Sequence, residues 1–224
     1  MIHRDCGRWI SLCFLGTDLS SLIVLLAMMM TESASAWMMM SLSTPTKPQT
    51  LHLQEKPITI RPFQAEDADD IAKLFHSTVR TINRKDYTRD QVEAWAPDDI
   101  YFRDWSTALM QASKKGTSKY TLVAEYNTQP RPKKGVLVGF AEIESNGHID
   151  CFYCHKDYQR QGAGRLLHQA IETKAADWNL DHLFVEASIT ARPFFEAMGF
   201  SLIKEQAVFC RGHRFVNFEM RKRI

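Results

Sequence analysis

The stretch His148-Ile149-Asp150-Cys151-Phe152-Tyr153-Cys154, running straight into HKDYQRQGAGRLL and ending at Leu167, decides how the rest of the chain is read. Its first seven residues are β-rich and follow Asn146-Gly147, a strong hairpin signal. From Gly162 onward, Leu166, Leu167, Ala170, Ile171, Ala175 and Trp178 mark one face of a helix. Glycines at 162 and 164, between strand and helix, let backbone N–H groups approach a ligand without a Cβ in the way. Unpaired amides and the positive end of the helix dipole favour an anion there. Arg160 and Arg165 add charge-assisted donors. The same stretch contains Cys151-Phe152-Tyr153-Cys154-His155, which fits the C-x-x-C-H pattern of covalent haem attachment. Residues three apart on a strand face opposite sides, so the two thiols would not reach one haem. No second ligand pair of zinc-binding spacing accompanies them. The expectation is therefore no haem and no metal.

Working outward, PITIRPF reads as a first strand, and Ile71, Leu74, Phe75, Val79 and Ile82 give the following run helical spacing. TRDQVEAWAP is a short helix with Thr88 as its cap and Pro97 as its stop. YFRDWSTALMQASKK reads as another helix ending before Gly116. KYTLVAEY and GVLVGFAEIE are strands that lead into the hairpin, HLFVEAS is a buried-type strand, ARPFFEAMGF a short helix closed by Gly199, and FVNFEMRKRI a last strand. The class is α/β (α+β), with helices flanking a mostly antiparallel sheet.

A formal net charge of +2, with 45% apolar and 24% charged residues, excludes a strongly basic nucleic-acid binder and indicates a globular protein without a stable membrane span. Five cysteines without regular spacing make a poor disulfide framework, which favours reduced thiols. Residues 1–56 differ from the rest: basic residues, the apolar run Leu19 to Met30, a small-x-small Ala34-Ser35-Ala36, then a polar linker with two prolines. They read as a signal-like leader or a mis-assigned start, with the folded unit at 57–224. A cytoplasmic location is expected if the leader is dispensable, and an exported or organellar one if it is real.

The order strand, helices, three antiparallel strands, Q-x-x-G-x-G, helix, strand, ARPFFEAMGF resembles the GNAT superfamily of acetyl-CoA-dependent N-acetyltransferases over residues 57–222. The resemblance implies a sheet splayed at the cofactor site and acetyl transfer to the amine of an unidentified acceptor, a small molecule or a protein. A homodimer is compatible with it. It also implies that backbone groups of Phe152, Tyr153 and Cys154 pair with the pantetheine arm. Amides of Arg160, Gln161, Gly162, Ala163, Gly164 and Arg165 hold the pyrophosphate, with Gln159 at the start of that loop. Ser188 stands where many members have a cofactor-contacting asparagine. Phe195 stands where many carry a tyrosine that protonates the leaving thiolate, so either another group such as Tyr153 or solvent serves instead, or the thiolate leaves unassisted. Candidate bases are His148 and Asp150, two apart on one strand face, and Glu142 on the preceding strand. Trp95 and His76 are candidates for lining the amine pocket. A non-catalytic acyl-CoA-binding domain is the alternative, prompted by Phe195.

Overall fold

In the computed structural model, which describes residues 58–110, 118–127 and 135–224, the β-rich runs form a seven-stranded sheet in the order β1-β2-β3-β4-β5-β7-β6. The strands are β1 (Ile58–Pro62), β2 (Lys119–Tyr126), β3 (Val136–Glu144), β4 (His148–Cys154), β5 (His182–Ser188), β6 (Ser201–Cys210) and β7 (His213–Arg223). All neighbours are antiparallel except β4 and β5, which are parallel. Asn146-Gly147 makes the β3–β4 turn. Gly147 has a φ of +87°, and a Cβ there would meet the carbonyl of His182 at 2.4 Å, so no other residue fits without displacing β5. The leader lies outside the described residues.

Among the described residues, five α-helices cover the two faces: α1 (Ala68–Thr81), α2 (Arg89–Trp95), α3 (Trp105–Met110), α4 (Ala163–Asp177) and α5 (Arg192–Ala197). In α1, Ile71, Leu74, Phe75, Thr78 and Val79 are buried, the i, i+3, i+4, i+7, i+8 stripe of a helix with one face on a core. α2 opens with a capping box. Thr88 Oγ1 accepts from the Gln91 N–H at 3.3 Å, and Gln91 Oε1 accepts from the Thr88 N–H at 2.8 Å. α3 starts only at Trp105 because Asp104 caps it, Oδ1 accepting from the Thr107 N–H at 3.0 Å.

One core, on the α4–α5 face, gathers Leu122, Ala141, Ile149, Phe152, Leu167, Ile171 and Phe195. The other, on the α1–α3 face, gathers Phe75, Trp95, Trp105, Phe140, Tyr153 and Phe215. β6 goes unrecognised in the sequence. It is an edge strand exposed along most of its length, so it carries no alternating apolar pattern. Cys151 and Cys154 are buried free thiols, and Cys210 is buried with its sulfur 3.5 Å from the carbonyl of Ala94. No described helix is long and apolar enough to cross a membrane.

Candidate active site

β4 and β5 pair only at His148↔Phe184 and Ile149↔Val185. Beyond those residues β4 continues along β3 to Cys154, while β5 continues along β7 to Ser188. The sheet therefore opens into a cleft. A bulge marks where it begins. Glu142 faces Cys151 and Ile143 faces Ile149, leaving Asp150 as an extra residue on β4. Such a bulge bends the strand and re-aims its side chains.

The bond from the His155 N–H to Val138 O, 2.8 Å, fixes which β4 peptides face β3. Hydrogen-bonded pairs alternate in an antiparallel ladder, so Tyr153 and Cys151 bond to β3. The peptide groups of Phe152 and Cys154 turn towards the cleft. The carbonyl of Cys154 is already taken by Thr78 Oγ1 at 3.0 Å and Gln159 Nε2 at 2.8 Å. Phe152 N–H and C=O and the Cys154 N–H are left lining the opening.

Gln159 also reaches the carbonyl of His155 at 3.0 Å, so its amide staples the strand end to the loop that follows. Arg160, at φ +62°, and Gly162, at φ +94°, turn the chain sharply into α4. The first-turn amides of α4, from Ala163 on, have no intrahelical acceptor. Gly164 lets this helix start sit close to the cleft wall: a Cβ there would lie 3.2 Å from the Phe194 ring and 3.5 Å from Cys154 Sγ. Arg160 and Arg165 are exposed beside it.

On the α1–α3 face the bulge assembles a buried ionic cluster. Glu142, Asp150 and Cys151 bring their side-chain donor atoms within 4.8 Å of one another. Lys119 Nζ lies 2.5 Å from Glu142 Oε1 and 3.4 Å from Asp150 Oδ2, so one ammonium sits against both carboxylates. Burial, and then the charge of Asp150, raise Glu142 well above the usual carboxylate range. Burial likewise pushes up the Cys151 thiol. The Arg103 guanidinium faces Cys151, Glu142 and Asp150. It also lines a hollow of about 330 Å³ with Asp69, Tyr101 and Trp105, so Arg103 touches both the cluster and that hollow. Lys119 and Arg103 go unnoticed in the sequence. The register that sets Lys119 opposite Glu144, two residues along β3 from Glu142, is legible only after pairing.

His148 and Asp150 keep different company. His148 Nε2 lies 2.6 Å from Glu186 Oε2 and Nδ1 lies 3.6 Å from Glu144 Oε2, with the ring stacked on Phe184. Burial alone would lower its pKa, but the two carboxylates outweigh it and push it up to about 9. Tyr153 is fully buried, stacked on Phe140 and edge-on to Phe75, and burial raises its hydroxyl far above the usual value. Phe195 lies on the opposite face, edge-on to Phe152 and Phe200. The Ser188 hydroxyl accepts from the Ala191 N–H at 3.0 Å. Trp95 packs edge-on to Tyr87 and Phe215. His76 is half-buried on α1 beside Arg80 and Pro97, where burial and then Arg80 lower its pKa.

Comparison with known proteins agrees with this arrangement. The acetyltransferase (GNAT) domain family matches residues 83–222. YafP of Escherichia coli K12, an uncharacterized N-acetyltransferase, is 35% identical over 166 residues, spanning 73% of this chain and 95% of that protein. A GCN5-related N-acetyltransferase of Rhodopseudomonas palustris superposes with a TM-score of 0.63 at 31% identity, over 76% of this chain and 97% of its own. PaiA N-acetyltransferase of Thermoplasma acidophilum, solved with coenzyme A, shares the fold at 14% identity with a TM-score of 0.57, over 75% and 99% of the two chains. A sheet opened between β4 and β5, with a glycine turn into α4 at its mouth, is thus the fold of a known group of enzymes: the chain belongs to the GNAT acetyltransferase family.

Proposed function

We propose that this chain moves an acetyl group from acetyl-CoA to a primary amine by direct attack within a ternary complex. The observation that carries the reading is the cleft itself, lined by unshared peptide groups of Phe152 and Cys154 and ending at the open amides of α4. Those peptide groups suit the amides of the pantetheine arm, which would add to β4 as a further strand. Amides of residues 160–165, with Arg160 and Arg165, suit the pyrophosphate. The Phe152 N–H, turned into the cleft, is the donor placed to stabilise a developing oxyanion. Orientation of amine and thioester contributes up to roughly 7–11 kcal/mol in well-aligned systems.

A base must remove the ammonium proton. Among the candidates, His148 with a pKa of about 9 holds its own proton at neutral pH, so the role falls to the Glu142–Asp150 pair. Burial lifts Glu142 towards the range where a carboxyl group can both take and release a proton near pH 7. Phe195 has no proton to give, and Tyr153 is sealed on the other face of β4. The thiolate therefore leaves unassisted, which a thiol pKa of about 8.5 permits.

The test is release of free CoA by the full chain with a panel of small amines and lysine-bearing peptides, beside Glu142→Gln. The expected result is turnover with at least one amine, lowered about 10²-fold or more by the substitution. Saturable acetyl-CoA binding with no turnover on any acceptor would instead make the chain a binding domain.

A further inference from the structure

The β5–β7 ladder ends in an unusual way. The Ile224 N–H bonds to Asp181 O at 3.1 Å, and the register pairs His182 with Arg223 through to Ser188 with Asn217. Alternation of hydrogen-bonded pairs makes Ile189 and Val216 the next pair due to exchange a direct bond. They do not exchange it. Instead the hydroxyl of Tyr87 sits between them, accepting from the Ile189 N–H at 2.9 Å and donating to the Val216 carbonyl at 2.9 Å. A side chain from the α1–α2 connection thus replaces the last rung of the sheet.

Tyr87 is held firmly in that position. Its ring packs edge-on to Trp95 at 5.5 Å and against Phe215 at 5.6 Å, and it is 6% exposed. The residue before it makes a second tie to the same segment, Thr190 Oγ1 donating to Asp86 Oδ2 at 2.6 Å. Ile189 and Thr190 lead directly into α5, which carries Phe194 and Phe195 against Phe152 on β4. The wall of the cleft facing β4 is therefore set from the α1–α2 segment.

We infer that Tyr87 is a positioning residue: its hydroxyl keeps β5 from closing onto β7 and so sets the width of the cleft in which the thioester must lie. The inference rests on the acetyltransferase reading for its kinetic consequence, but not for its structural one. Without the hydroxyl, the Ile189 N–H and Val216 carbonyl satisfy each other directly, and the end of β5 moves away from β4. The anion-binding amides at the start of α4 make no bond to Tyr87, so cofactor affinity is retained while alignment is lost.

The experiment is Tyr87→Phe in the full chain, with Thr190→Val as a second variant that cuts the neighbouring tie and leaves the hydroxyl in place. A structure of Tyr87→Phe should show the Ile189 N to Val216 O distance closing to that of an ordinary backbone hydrogen bond. Its kcat should fall about tenfold or more, since misplacement by about 1 Å can cost up to about 10²-fold. The KM for acetyl-CoA should stay within about twofold, because its anion contacts on α4 are untouched. Thr190→Val should give a smaller kcat loss with the same unchanged KM. Three results would overturn the inference: a water molecule in place of the hydroxyl with β5 unmoved, an unchanged kcat, or kcat and KM altered together. If wild-type protein turns over no amine, the acetyltransferase reading fails, and the closure of Ile189 onto Val216 still decides the structural claim.

Discussion

Lys119 holds the ionic cluster together. Two buried carboxylates sharing one ammonium carry little net charge, and removing that ammonium leaves like charges side by side in a medium that disfavours both. Lys119→Met should therefore raise the pKa of the Glu142–Asp150 base. The low-pH limb of the pH dependence of kcat/KM moves upward by about one unit or more, so activity at pH 7 falls and recovers as the pH is raised. A limb that stays in place would remove Lys119 from the chemistry. At this scale the sequence carried much of the information: Glu142 and Asp150 were legible as candidates from their strands. Their lysine was not, since residue 119 comes beside residue 142 only through the β2–β3 register. Strict alternation also placed His148 and Asp150 together as equivalent bases. The bulge at Asp150 and the two glutamates around His148 separate them into an ion-paired histidine and a member of the buried pair.

The strand–turn–helix unit from β4 to α4 is where sequence and structure agree most closely, because turn chemistry is local. Gly162 at φ +94° has nothing within 4 Å of where a Cβ would stand, so the penalty on other residues there comes from the backbone and not from crowding. That permits a controlled comparison. Gly162→Asn and Gly162→Asp share the backbone strain, and only the second places a negative charge beside the anion site. By titration, acetyl-CoA should bind the aspartate variant about tenfold more weakly than the asparagine one, a difference on the order of 1–2 kcal/mol. The gap should narrow as salt is added. Equal affinities would remove the pyrophosphate from this turn. β6 marks the opposite limit. An edge strand exposed along most of its length leaves no periodic trace in its residues, and it is found only through its pairing with β7.

The two cores lie on opposite faces of one sheet, and the cleft interrupts that sheet at its middle. A ligand that occupies the cleft binds the folded chain and not the unfolded one, so it must stabilise the whole domain. At 100 times its dissociation constant, acetyl-CoA should contribute about 2.7 kcal/mol. In a chain of this size that corresponds to a rise of about 5–11 °C in the melting temperature, measurable by thermal denaturation. No rise at saturating concentration would contradict binding in the cleft. The order of elements apart from β6, the glycine turn and the apolar stripes of α1 and α4 were readable in the linear chain, because each depends on residues within a few positions of one another. The width of the cleft, the lysine between two buried carboxylates and the hydroxyl of Tyr87 between Ile189 and Val216 could not be read that way. Each joins groups from separate strands and helices, and their meeting is set by strand register and by the packing of α1 to α3 on the sheet, which no local pattern of residues records.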